Sequence, residues 1–126
     1  MNVRFARHTE NIEHLITFYT SILNFEVLGN FKNHDGYDGV FLGVKGENWH
    51  LEFTQNKEKP KSKFDEDDAK VFYPKTQKSY DQISENLKEF KVPLLEPKNP
   101  YWKNKGICFE DSDHCRIIMS KENIEE

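Results

Sequence analysis

Apolar and polar positions alternate over Val3-Arg4-Phe5, and Val3 to His8 reads as a first strand. Ile12, Leu15, Ile16, Tyr19, Ile22 and Leu23 then recur at three- and four-residue spacing, which predicts an amphipathic helix over residues 12–23. Thr9, Glu10 and Asn11 supply capping chemistry ahead of it. Phe25, Val27 and Leu28 return to strand patterning. His34-Asp35-Gly36-Tyr37-Asp38-Gly39 holds two Asp-Gly pairs, a turn signal. Val40 to Val44 reads as an apolar strand, Lys45 to Asn48 as a turn, and Trp49 to Thr54 as the next strand. Residues 55–68 break the pattern with mixed charge that cannot bury itself, so they read as a solvated linker. From Ala69 the order starts again. A strand over Ala69–Tyr73 precedes a helix capped by Thr76 or Ser79 and running through Ile83, Leu87 and Phe90. Val92-Pro93-Leu94-Leu95 is extended, and Asn99-Pro100-Tyr101-Trp102 is a loop. Strands Gly106–Glu110 and Cys115–Ser120 flank a turn at Asp111 to His114.

The order strand, helix, three strands therefore occurs twice, and the residues repeat with it. Ile117-Ile118-Met119 follows Leu51-Glu52-Phe53 by 66 residues, and Lys70-Val71-Phe72 follows Arg4-Phe5-Ala6 by the same offset. The 126 residues thus read as one domain of two modules, 2–54 and 69–122, joined by the charged linker 55–68. Ten Phe, five Tyr and two Trp give it aromatic core material. A net charge of −4 with interspersed signs excludes the concentrated basic face of a nucleic-acid binder. No apolar run is long enough to span a membrane, and the first residues lack a signal-peptide core, so a cytoplasmic location is expected. Cys108 and Cys115 form no CxxC motif and read as reduced thiols, with a disulfide across a tight hairpin as the alternative.

Several local signals resemble the vicinal oxygen chelate superfamily, which includes glyoxalase I, bleomycin-resistance proteins and extradiol dioxygenases. Asn11-Ile12, Phe18-Tyr19 and Ile22-Leu23-Asn24-Phe25 are similar to its landmarks around the first helix. Phe109-Glu110-Asp111-Ser112-Asp113-His114-Cys115-Arg116-Ile117-Ile118 is similar to its closing segment. His34 to Glu52, with Asn99 to Trp102, resembles a bacterial glyoxalase-like subgroup whose substrate the resemblance does not supply. The resemblance implies an α+β fold: two βαβββ modules forming a curved eight-stranded mixed sheet around a cleft, with helices on the outer face. In metal-dependent members each module gives one ligand from its first strand and one from its last. The ion polarises a carbonyl and stabilises an enediolate or related anion.

The matching positions are Arg4, Glu52, Lys70 and Ile118, with Ala69 or Asp68 in place of Lys70 if the second register slips. Glu52 suits a hard cation. Arg4 has only donors, and Ile118 has no lone pair, so the family metal site is not recognisable. His50 shares a strand face with Glu52, and His8 with Arg4. Two histidines and a carboxylate would suit zinc or iron, although His8 lies ~13 Å along the strand from the usual position. A divalent metal therefore remains open through Glu52 and His50, the candidate catalytic pair. The simpler account is an ion pair of Glu52 with Arg4, Lys70 nearby, which relieves the burial of the carboxylate and offers a cationic donor to a ligand.

Tyr37, Tyr101 and Trp102 fall in predicted loops, where aromatic rings at a cleft mouth stack on ligands. The ligand-binding candidates are accordingly Arg4, His8, Lys70, Tyr37, Tyr101 and Trp102. Trp49 and Phe53 alternate with His50 and Glu52 and so point into the core. The Asp-Gly turns account for Asp35 and Asp38, and their neighbour His34, without chemistry. The acidic run Asp65 to Asp68 lacks the Gly-containing loop of a calcium site. The sequence supports a small-molecule binding protein of the bleomycin-resistance type without a metal. It leaves open a metal-dependent lyase or dioxygenase using Glu52 and His50, and a protein–protein module with a vestigial cleft. Unpaired strand edges give a reason to form a homodimer.

Overall fold

A computed structural model describes residues 1–125 of the chain. They form two compact units, residues 1–63 and 64–125, whose boundary falls inside the charged segment. The first unit runs β1 (Val3–His8), α1 (Ile12–Ser21), β2 (Glu26–His34), β3 (Tyr37–Gly43) and β4 (Trp49–Gln55). Its sheet has the order β1-β4-β3-β2, with β1 parallel to β4 and the other neighbours antiparallel.

Helix α1 starts where the sequence expects, because the Asn11 side chain accepts from the His14 amide at 3.1 Å. It stops two residues early. Asn24 adopts φ 59°, a left-handed conformation that no right-handed helix continues. Between β2 and β3, Asp35 (φ 52°) and Gly36 (φ 85°) are both left-handed, as a two-residue hairpin turn requires. The second Asp-Gly pair does not turn. Asp38 and Gly39 lie within β3, where the Asp38 carboxylate accepts from the Asn33 amide at 2.9 Å.

The second unit runs β5 (Ala69–Phe72), α2 (Gln77–Glu89), β6 (Gly106–Glu110) and β7 (Arg116–Ser120). Thr76, rather than Ser79, caps α2 by accepting from the Ser79 amide at 3.1 Å. The sheet order is β5-β7-β6, again with one parallel pair, β5 and β7. The expected extended segment 92–95 does not become a strand. Leu95 N donates to Cys108 O at 2.8 Å, but Pro93 has no amide proton, and the ladder goes no further. Among the described residues, seven strands in sheets of four and three therefore replace the expected single sheet of eight. The α+β class and the repeated order of strand, helix and hairpin hold. The predicted loop at Asn99 to Trp102 is a single 3-10 turn over Pro100–Trp102.

Each unit has its own apolar layer. In the first, Leu15, Tyr19, Val40, Leu42 and Phe53 are buried, with the Tyr19 ring 5.9 Å from Phe25 and 5.5 Å from Phe53. Each such side chain contributes ~1.5–3 kcal/mol of transfer free energy. In the second, Ile83, Leu87, Phe109, Ile117 and Met119 are buried. No helix among the described residues is long and apolar enough to cross a membrane.

Candidate functional site

In the first sheet, residues two apart share a face, and register decides which side chains meet across it. Arg4 pairs with His50 and Ala6 with Glu52 in the parallel ladder, while Phe41 pairs with Glu52 in the antiparallel one. Trp49, Leu51 and Phe53 point the other way, where Phe53 meets Tyr19 of α1 and Trp49 meets Phe25. The face away from α1 thus carries Arg4, His50, Glu52 and Phe41 together.

Their geometry is specific. Arg4 Nε donates to His50 Nε2 at 2.9 Å, which requires that nitrogen to be without a proton. Arg4 Nη1 stands 3.6 Å from Glu52 Oε1. The guanidinium carbon sits 4.8 Å from the Phe41 ring centroid, and the Phe41 ring meets His50 edge-on at 5.5 Å. Phe31 continues the aromatic floor 6.0 Å from Phe41, over Gly39, where any Cβ would overlap its ring. The Glu52 side chain is 13% exposed and that of Arg4 is 52% exposed, so the guanidinium caps the carboxylate and keeps an edge toward solvent.

His8 lies at the far end of the same face. Its Nε2 donates to Glu58 O at 2.7 Å, and Nδ1 faces Thr54 Oγ1 at 3.3 Å. Tyr37 meets the His8 ring edge-on at 6.1 Å. The segment after β4 is anchored rather than loose, because Arg7 Nη2 also donates to Ser62 O at 3.1 Å and Lys59 pairs with Glu10 at 3.6 Å. The acidic run closes on itself, with Asp65 Oδ1 accepting from the Asp67 amide at 2.8 Å. His34 and Asp35 form an exposed pair at the hairpin tip, 3.8 Å apart.

In the second unit Val71 pairs with Ile118, and Cys108 also pairs with Ile118. By the logic of the first sheet, Ala69 occupies the position of Arg4 and Arg116 that of His50. Lys70 is therefore corrected. It faces the opposite side, where its Nζ lies 3.7 Å from Asp111 Oδ2 and 3.1 Å from Cys115 Sγ. Its side chain is only 9% exposed, and it balances a carboxylate that is 1% exposed. A lysine so placed is not available as a donor on the Ile118 face. The hairpin disulfide is excluded by the same alternation, since Cys108 shares the face of Ile118 while Cys115 contacts Lys70. Both are free and buried. Burial pushes the Cys108 thiol above its ordinary 9.0, although Arg116 pulls it back and Glu110 raises it slightly, so it is not an activated nucleophile.

Arg116 escaped the sequence reading, although its place two residues before Ile118 gave the signal. Its Nη1 donates to Glu96 O at 2.9 Å, and Nη2 and Nε lie 3.9 Å from Glu66 and Glu110. Trp102 lies over Ala69, Cys108 and Ile118 around a cavity of about 10 Å³, room for one water. Tyr101 is exposed, edge-on to Trp102 at 4.9 Å, with Lys105 Nζ 3.8 Å from its ring. Phe31 and Phe41 were also missed as a floor, because cross-strand register is not written in a single strand.

The family's divalent ion does not fit these residues. In the first unit His50 Nε2 is spent on Arg4 Nε and Glu52 faces a guanidinium; in the second, taken by itself, the Ala69 and Ile118 side chains offer no lone pair. Among the described residues no group of three or more His, Cys, Asp or Glu is placed to hold a metal ion.

Comparison with known proteins agrees with this architecture. Residues 3–54 match the YycE-like N-terminal domain and residues 67–121 the YycE-like C-terminal domain. The chain is 36% identical over 118 residues to the uncharacterised protein YycE of Bacillus subtilis strain 168, covering 93% of this chain and 85% of that protein. The crystal structure of YycE gives a TM-score of 0.84 at 34% identity, over 99% of this chain and 90% of that one. The trypanothione-dependent glyoxalase I of Leishmania major shares the fold at a TM-score of 0.73 and 21% identity, over 94% and 84% of the two chains. So does TnmS3, an antibiotic binding protein from Streptomyces sp. CB03234, at 0.68 and 18% identity, over 95% and 93%. Matching family domains in both halves, with a relative of like sequence and fold, establish that the chain belongs to the YycE-like family, whose fold is the one glyoxalases share.

Proposed function

We propose that the protein binds a small molecule on the open face of its first sheet, without a metal, through Arg4 above the Phe41 and Phe31 floor. The observation that carries this reading is the guanidinium itself. It is held on three sides by His50, Glu52 and Phe41, yet half of its side chain stays open. A donor fixed in that way loses little entropy on binding an acceptor. Glu52 offsets much of the arginine charge, so a planar ligand with a carbonyl or amide acceptor suits the site better than a simple anion. His50 and Glu52 act here as positioning residues for Arg4. That TnmS3 is an antibiotic binding protein supports binding as a use of the fold.

The metal-dependent reading draws on one observation, that His50 and Glu52 share this face. Elemental analysis of untagged protein, alongside a titration with benzamide followed at the Arg4 Nε–H resonance, separates the readings. Saturable benzamide shifts at Arg4, Phe41 and His50 are expected. Stoichiometric zinc, iron, nickel or manganese that disappears in Glu52→Ala would overturn the metal-free proposal. Silence from benzamide and related carbonyl compounds would favour a protein–protein module.

A further inference from the structure

Four residues along β1 from Arg4, the same sheet face ends in a groove of about 400 Å³, lined by Arg7, His8, Tyr37, Thr54 and the segment from Asn56 to Ser62. That volume lies within the ~300–1,000 Å³ typical of small-molecule sites. The groove is built rather than incidental. Its roof is tied down by His8 to Glu58 O at 2.7 Å and by Arg7 to Ser62 O at 3.1 Å, and it turns through an Asn56 side chain that accepts from the Glu58 amide at 2.8 Å. Because a carbonyl oxygen only accepts, His8 Nε2 carries a proton toward Glu58 O, and the contact of Nδ1 with Thr54 fixes the ring plane.

The charge of the lining is opposite to that of the chain. Arg7, Lys59 and Lys61 face the groove against one acid, Glu58, in a protein of net charge −4. Arg7 and Lys59 are already engaged, with Ser62 and Glu10. The Lys61 ammonium and the Tyr37 hydroxyl have no hydrogen-bond or ion-pair partner among the described residues. Two donors thus flank a cavity of the right size, with the Arg7 guanidinium, tied to Ser62 O, beside them.

We propose that this groove takes the anionic end, phosphate or carboxylate, of the molecule whose flat acceptor-bearing part lies on Arg4 and Phe41. Lys61 Nζ and Tyr37 Oη donate to the anion, and Arg7 supplies background charge. The distance from Arg4 to His8, ~13 Å along an extended strand, sets the span of that molecule. The inference rests on the small-molecule reading of the Arg4 face, and it makes the ligand an elongated one, neutral and planar at one end and charged at the other.

The test is a ¹⁵N correlation titration of the full chain with inorganic phosphate, with acetate and with neutral benzamide. Phosphate or acetate is expected to shift the amides of Tyr37, Thr54 and residues 56–62 saturably, and to leave Arg4 Nε–H in place. The stronger of the two names the anion. Lys61→Glu, an exposed substitution, should weaken that anion about tenfold or more, and Tyr37→Phe by a smaller factor. Absence of saturable shifts in the groove with both anions overturns the proposal, as do shifts that Lys61→Glu leaves unchanged. Anion binding in the groove with no benzamide response at Arg4 keeps the groove as an anion site and sinks the Arg4 reading. The reverse pattern sinks the groove alone.

Discussion

Replacing Arg4 by methionine removes the guanidinium and keeps an unbranched side chain over Phe41. Three interactions are lost. The Nε bond to His50 at 2.9 Å is solvent-accessible and contributes about 1 kcal/mol, in the middle of the range for net hydrogen-bond effects. The approach of Nη1 to Glu52 at 3.6 Å involves an arginine whose side chain is 52% exposed, so screening holds it below about 1 kcal/mol. The stack at 4.8 Å from the Phe41 centroid adds about 0.5–1 kcal/mol, of which methionine recovers part through sulfur–aromatic contact. The sum is a loss of about 1–2 kcal/mol. At this chain length each kcal/mol moves Tm by about 3–6 °C, so thermal denaturation followed by circular dichroism should show a fall of about 3–12 °C. Affinity for benzamide should fall further in proportion, since a charge-assisted hydrogen bond contributes about 1.5–3 kcal/mol, or roughly 10–150-fold. Arg4→Lys should be intermediate, because an ammonium keeps the charge but neither stacks nor donates in the guanidinium plane. An Arg4→Met protein with unchanged Tm and unchanged benzamide affinity would refute the reasoning, because neither a held guanidinium nor a working donor could leave both untouched.

Gly39→Ala should cost about 1–3 kcal/mol in denaturant unfolding, because its Cβ meets the Phe31 ring; pairing it with Phe31→Ala should restore part of that loss, and strict additivity of the two changes would refute the overlap. Burial raises the Cys108 thiol above 9.0, and burial followed by the Asp81 charge raises the Tyr80 phenol above 10.0. The unfolded chain then releases those protons first, so their contribution is intact below the ordinary values and stability falls as pH climbs through the raised ones. Denaturant midpoints at about pH 8 and about pH 10.5 should therefore differ less in a Cys108→Ala/Tyr80→Phe double variant than in the parent, and an equal or larger difference would contradict the assignment.

The order of elements was legible because it depends on local physics. The three- and four-residue spacing of Ile12, Leu15 and Tyr19 demands a helix, Asn11 and Thr76 cap helices from within their own segments, and Asp35-Gly36 turns because both residues tolerate a left-handed backbone. The sharing of one face by His50 and Glu52 was legible for the same reason, since alternation is a property of a single strand. The pairing of Arg4 with Glu52, a sequence expectation, then needed only that β1 lie beside β4.

What the sequence alone determined is therefore the repeat, the caps, the turns and the inward or outward sense of each residue along its own strand. The tertiary structure decided everything that depends on two strands meeting. A 66-residue offset aligns Lys70 with Arg4, but the ladder aligns Ala69, and a slip of one residue turns a side chain to the other face. That slip sends Lys70 to Asp111 and leaves Arg4 without a counterpart in the second unit. Pro93 lies in a segment whose patterning is extended, yet it ends the eighth strand because a ladder needs an amide proton from each bonded position. The groove under residues 56–62 was unreadable in a segment whose composition predicts only solvation. Its form comes from backbone carbonyls accepting from His8 and Arg7, and a carbonyl has no residue type to read.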